Sequence, residues 1–189
     1  MDKKIKLYMI MLGCKPAGRF TEQHDIFLGI GSSLKELVPQ MKAFWPEAKG
    51  KIHIDAWREV TAVNNFHIKV VPRASLSDET PEKLFFLNLG GYKQNEFEEY
   101  HYKMLAVTKT LGLATKKSKA TAFYKHCGFK GAESHLDEKY GVDVDDLYRV
   151  DDMLPAASKL LYALEITKAE STLEEDILHI GYVKIGSLK

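Results

Sequence analysis

The sequence predicts an α+β protein, an internal duplication of a strand-strand-helix-strand(-strand) unit with mixed sheets and helices packed on one face. Three observations carry this. Residues 7–34 (LYMIMLGCKPAGRFTEQHDIFLGIGSSL) and 84–111 (LFFLNLGGYKQNEFEEYHYKMLAVTKTL) align without a gap. They agree at Leu7/Leu84, Leu12/Leu89, Gly13/Gly90, Phe20/Phe97, Glu22/Glu99, His24/His101, Leu28/Leu105 and Leu34/Leu111, where composition alone gives about two matches. A second echo lies downstream, His53-Ile54-Asp55 against His135-Leu136-Asp137. Between the two echoes the first half passes from period-two alternation to helical spacing and back.

The first strand, Ile5–Leu12, is apolar on both faces apart from Lys6, the pattern of an interior strand. Gly13 ends it. The loop Cys14–Thr21 holds Pro16, Ala17 and Gly18, and Phe20, kept as Phe97, is expected to fold back onto the core. The second strand runs from Glu22 to about Ile30, with Glu22, His24, Ile26 and Leu28 on one face. Ser33 starts a helix with Glu36 as its capping-box partner. Leu34, Leu37, Val38, Met41, Phe44 and Trp45 form its apolar stripe, while Pro39 predicts a kink or a late start. Lys51–Val60 is a third strand with His53, Asp55 and Trp57 on one face. Asn64-Asn65 makes a tight turn into a fourth strand, Phe66–Val71.

The second half repeats the plan. Lys83–Leu89 and Glu99–Thr108 are strands, and a helical stretch follows to about Tyr124. Residues 143–155 are acidic, 159–168 read as a helix giving way to a strand, and Leu178–Ile185 as a final strand. Residues 1–72 thus form a first repeat, 73–83 a linker, 84–168 a second repeat and 169–189 a C-terminal strand extension. A single repeat is of marginal size for its own core, so the repeats are expected to pack as one globular body.

With 189 residues, 45% apolar and 28% charged, the composition is that of an ordinary globular protein. A net charge of +1 gives no pull toward nucleic acid or an anionic membrane. The lysines of 109–130 face an acidic segment at 133–152, and both read as solvated surfaces. Two unpaired cysteines, Cys14 and Cys127, and no leader or membrane-length segment fit a cytoplasmic location. Neither Gly13 nor Gly90-Gly91 opens a dinucleotide-binding fingerprint.

Leu12-Gly13, then Phe20-x-Glu22-x-His24-Asp25, then His53-x-Asp55-x-Trp57 resembles the bacterial domain-of-unknown-function family 1543. The second half carries Leu89-Gly90, Phe97-x-Glu99-x-His101 and His135-x-Asp137, with Tyr102 in place of Asp25 and Lys139 in place of Trp57. The resemblance implies two tandem copies of the unit, the first better preserved, and no particular activity.

Four of the seven histidines occupy these repeated slots. Glu22, His24, His53 and Asp55, with Glu99, His101, His135 and Asp137 in the second copy, are the candidate catalytic or metal-ligating residues. Imidazole and carboxylate donors suit a first-row divalent metal. Strand order argues against that use. A central first strand would hold the second and third roughly 10 Å apart, too far for direct sharing of one ion. A structural lock, each histidine bonded to a neighbouring carboxylate, is the favoured expectation. The functional expectation is a non-enzymatic protein, monomer or homodimer, that binds a small molecule or protein partner. The alternative is an enzyme using the Glu/His/His/Asp set, metal-dependent or not.

Overall fold

The computed structural model describes residues 4–76, 80–93, 95–120 and 142–188, with residues 142–145 described in their backbone. Among the described residues ten strands occur in chain order: β1 Lys6–Cys14, β2 Gln23–Gly31, β3 His53–Glu59, β4 Ala62–Val63, β5 Phe66–Pro72, β6 Lys83–Tyr92, β7 Glu99–Thr108, β8 Val142–Arg149, β9 Tyr162–Lys168 and β10 His179–Lys184. The α-helices among the described residues are α1 Leu34–Phe44, α2 Leu111–Ser118, α3 Val150–Met153 and α4 Ala156–Leu161. None is long and apolar enough to cross a membrane. The architecture is α+β, as expected.

The chain divides into two compact units, one of Met1–Glu79 with Met153–Lys189, the other of Thr80–Asp152. This differs from a division that carries the second repeat to residue 168. The cause is strand pairing: β9 lies antiparallel to β5 from Phe66↔Lys168 to Pro72↔Tyr162. The C-terminal strand β10 likewise pairs with β3. The last part of the chain therefore completes the first unit.

In the first unit a four-stranded sheet has the order β10-β3-β1-β2, and a three-stranded sheet the order β4-β5-β9. β1 is interior, as its doubly apolar sequence predicts. Each described ladder is antiparallel; β2 and β3 run parallel to one another but are separated by β1. Tyr8, Ile10, Leu12 and Cys14 line one face of β1 and pack with Phe27, Ile54, Leu37 and Met41 in a buried cluster. The opposite face buries Leu7, Met9, Ile26, Leu28 and Ile30. At its other end that second face carries the candidate residues.

Local signals explain the elements. Ser33 caps α1 by accepting a hydrogen bond from the Glu36 amide, and the Glu36 carboxylate accepts from Ser32 N and Ser32 Oγ. The reciprocal bond thus reaches one residue further back than in a standard capping box. Pro39 sits inside the helix on its exposed side, where water can satisfy the carbonyl it leaves unpaired. Asn64 and Asn65 adopt φ values of 48° and 68°, the left-handed pair that a two-residue hairpin requires. Phe20 and Phe97 do not fold onto the core; both are fully exposed.

The second unit has the sheet order β7-β6-β8. β6 is its interior strand, and Phe85, Leu87, Leu89, Ala106 and Ala114 form its buried cluster. Thr110 caps α2 through Leu113 N. α2 ends at Ser118 with Lys119 as its C-cap, short of the helical stretch expected to about Tyr124, and the basic run beyond 120 lies outside the described residues.

Candidate functional site

The site is built on three strands around a residue with no side chain. Gly13, near the end of β1, stands opposite His24 on β2 and opposite His53 on β3. Glu22 precedes β2 by one residue and shares the face of His24 by alternation. On the other side the β1–β3 register skips a residue. Leu12 pairs with Ile54 and Met11 with Ala56, leaving Asp55 unmatched. Such a bulge re-aims the extra side chain. It keeps Ile54 and Trp57 in the helix-side cluster while Asp55 joins His53 on the other face. Trp57 therefore does not share the face of His53 and Asp55, as strict alternation predicts.

The result is a convergence of four polar side chains from two strands that are not neighbours. His53 Nε2 lies 3.1 Å from Glu22 Oε1 and 3.2 Å from Asp55 Oδ2. His24 Nε2 lies 3.3 Å from the same Asp55 oxygen and 3.9 Å from Glu22 Oε2. The expectation that a central β1 would keep these groups apart is overturned, and Gly13 is the reason. A Cβ built on it would overlap Asp55 Oδ2, His53 Nε2 and His53 Cε1. The space a side chain would fill is where the side chains of β2 and β3 meet.

Asp55 Oδ2 is buried and has no hydrogen-bond partner among the described residues, although two imidazole nitrogens stand within ion-pairing reach. The lock expectation requires directed N–H···O bonds between these groups. At this oxygen no such bond forms among the described residues, although two imidazole nitrogens lie within 3.3 Å.

Exposure is graded across the set. The side chains of His53 and Asp55 are 11% and 24% exposed, those of His24 and Glu22 40% and 46%. The β3 pair is held in the sheet and the β2 pair faces water. Among the described residues, no group of three or more His, Cys, Asp and Glu side chains is arranged so as to hold a metal ion. Glu22 and His24 are the pair with room to turn, and side-chain rotation on binding is common.

Residues the sequence does not flag support the set. The Tyr182 ring lies 4.4 Å from the His53 ring. It comes from β10, whose register against β3 also shifts, between Ile180 and Val183, across from Asp55. His179 stacks on Trp57 at 3.8 Å and 6°. Lys184 stands opposite His53 in the β10–β3 register. Nothing short of strand order would have brought β10 to this edge. Cys14, next to Gly13, points into the helix-side cluster. Burial pushes its thiol above the ordinary range, and the Glu22 carboxylate adds to the effect.

In the second unit Glu99 and His101 begin β7, with Glu99 Oε2 4.0 Å from His101 Nε2. His135 and Asp137 lie outside the described residues.

Comparisons with known proteins add the following. No curated protein matches the sequence. The crystal structure of a protein Il1583 from Idiomarina loihiensis has a similar fold, with a TM-score of 0.62 over 95% of this chain and 96% of that one. At 20% identity the likeness is one of fold alone. The stretch from residue 19 to residue 70, which holds Glu22, His24, His53 and Asp55, matches the family model of the Domain of Unknown Function (DUF1543).

Proposed function

We propose that the first unit binds a first-row divalent metal ion with Glu22, His24, His53 and Asp55, and that the protein is a metal-dependent enzyme. The observation that carries this is Asp55 Oδ2, buried, without a hydrogen bond among the described residues, and 3.2 and 3.3 Å from two imidazole nitrogens. Tetrahedral ligands at normal zinc bond lengths are about 3.3–3.5 Å apart. The three short separations of 3.1, 3.2 and 3.3 Å need little adjustment to reach that spacing. Two imidazoles and two carboxylates suit zinc, iron or manganese.

The graded exposure favours a working site over a purely structural one. Structural zinc is closed off by its four ligands, whereas catalytic zinc keeps a position open to water or substrate. Here the β2 pair lies at the open side. A metal in this set would supply Lewis acidity and a lowered pKa for bound water. The chain's own part is to hold His53 and Asp55 fixed in the sheet and to leave Glu22 and His24 facing the solvent. This supports the enzyme alternative over a non-enzymatic binding role.

Cobalt substitution tests the reading. Co2+ added to purified protein should give visible absorption of an imidazole- and carboxylate-bound ion, absent in His53→Ala at unchanged secondary structure. A spectrum identical to that of hexaaquo cobalt in the unmodified protein would contradict it.

A further inference from the structure

On the metal reading of Glu22, His24, His53 and Asp55, we infer that the site takes a phosphate-bearing substrate. Lys184 of β10 engages the phosphate, with Lys15 and Lys51 at the rim.

Strand pairing places the three amines. The β10–β3 ladder sets Lys184 opposite His53, and the next two ladders continue through Gly13 to His24. Lys184, His53, Gly13 and His24 thus form one row across the four-stranded sheet, with neighbouring strands about 5 Å apart. Val183 and Ile185 pack with the helix-side cluster, so Lys184 between them belongs to the opposite face, that of His53. Lys15 follows Gly13 by two residues and Lys51 precedes His53 by two, just beyond the ends of β1 and β3. At Cys14, burial and the Glu22 carboxylate raise the thiol pKa while the Lys51 ammonium opposes them. The charge of Lys51 is therefore felt at the same end of the sheet as that of Glu22.

β10 is bent toward this set. Ile180 pairs with Ala56 and Val183 with Ile54, so Gly181 and Tyr182 together stand against Asp55. Gly181 takes a φ of 136°, a conformation that glycine alone adopts readily. The bulge turns Tyr182 to the face of Lys184, where its ring lies 4.4 Å from that of His53. Tyr182 remains 61% exposed and forms an aromatic wall beside the more deeply held histidine.

Charge then selects the ligand. Lys15, Lys51 and Lys184 are exposed, and among the described residues none of the three is in an ion pair. In a metal-loaded site Glu22 and Asp55 balance a divalent ion, which leaves the lysines to set the sign of the rim. The whole chain carries only +1, so this surplus is local. Lysine meets phosphate as a compact point charge, whereas planar, bidentate recognition of carboxylates favours arginine. Three amines beside a divalent ion therefore suit a dianion better than a monoanion.

The test is titration of the Co2+-loaded full chain with inorganic phosphate at constant ionic strength, followed by calorimetry and by the cobalt visible spectrum. Phosphate should bind and perturb the spectrum, and acetate should bind more weakly by about tenfold or more. Lys184→Met should keep the cobalt spectrum, since Lys184 is not a metal ligand, and should weaken phosphate binding about tenfold. Lys184→Arg should restore most of that loss, and Lys35→Met, which removes an exposed lysine of α1, should leave phosphate binding unchanged. No phosphate binding, phosphate bound equally tightly by Lys184→Met, or acetate bound as tightly as phosphate overturns the assignment. A missing cobalt spectrum is instead a failure of the metal reading. Phosphate titration of the metal-free chain then decides: binding that depends on Lys184 upholds the anion site, and no binding overturns it.

Discussion

His24 on β2 lies 3.3 Å from Asp55 on β3, across an intervening strand that places no side chain between them. The contact depends on Gly13 more than on either partner. Gly13→Ala would put a methyl group where Asp55 Oδ2 and His53 Nε2 now stand, forcing both side chains outward. The backbone there is ordinary extended strand, so the fold should survive. We expect metal affinity to fall about tenfold or more, the scale on which displaced supporting groups weaken metal sites. Circular dichroism should change little. Unaltered affinity in Gly13→Ala would mean that the ion, if bound, does not use the space above residue 13.

Much of this was legible in the residues, and its limits were specific. The doubly apolar run of β1 gave an interior strand, Asn64-Asn65 a hairpin, and Ser33 a helix start, because each rests on local chemistry. The glutamate, histidine and aspartate positions that the echo singles out in the first half are side chains that converge beside Gly13. What strand spacing alone concealed was the meaning of Gly13. Read as a strand end, it left the site apparently split by a filled β1. The bulge at Asp55 was equally hidden, since strict alternation places Trp57 beside His53. The pairing of β9 with β5 and of β10 with β3 is long-range, and no local pattern announces which partner a strand will choose.

Cys14 should be inert in the folded chain. It is 1% exposed, and both burial and the Glu22 carboxylate hold its thiol above the usual range. The thiolate is the reactive form. In a Cys127→Ser variant a thiol reagent at pH 8 should modify Cys14 slowly in the native state and at once in denaturant. Rapid native-state modification would show that the helix-side cluster opens more readily than its packing implies.

Lys6 and Glu59 tie β1 to the end of β3 with a 2.6 Å contact. The hydrogen bond to Glu59 raises the Lys6 pKa above 10.5, against the smaller opposing effect of burial. A raised folded-state pKa means stability that is fully present below the unfolded value and lost as pH rises through the folded one. Both side chains are about a third exposed, so solvent screening limits the pair to at most about 1 kcal/mol. Urea denaturation should find Lys6→Met destabilised by that amount at pH 7–9. The difference from the unmodified protein should shrink above the ordinary lysine range, near pH 10.5 and beyond.

Asp176 fastens the C-terminal stretch to the start of β4. Its half-buried carboxylate accepts hydrogen bonds from Thr61 N, Thr61 Oγ1 at 2.6 Å and Ala62 N at 3.3 Å. Asp176→Ala should cost about 1–3 kcal/mol, the range for losing hydrogen bonds to a charged acceptor. Hydrogen exchange should then speed up at the Thr61 and Ala62 amides first. Because β10 follows directly, the His53–Tyr182 ring contact is the part of the site that loosening of this stretch would reach.

Elemental analysis of protein produced in metal-supplemented medium tests the central claim most directly. The account predicts about one transition-metal ion per chain in the unmodified protein, and about a tenth of that or less in His24→Ala/His53→Ala. Equal metal content in the two proteins, both folded, would contradict it and return Glu22, His24, His53 and Asp55 to the role of a structural lock.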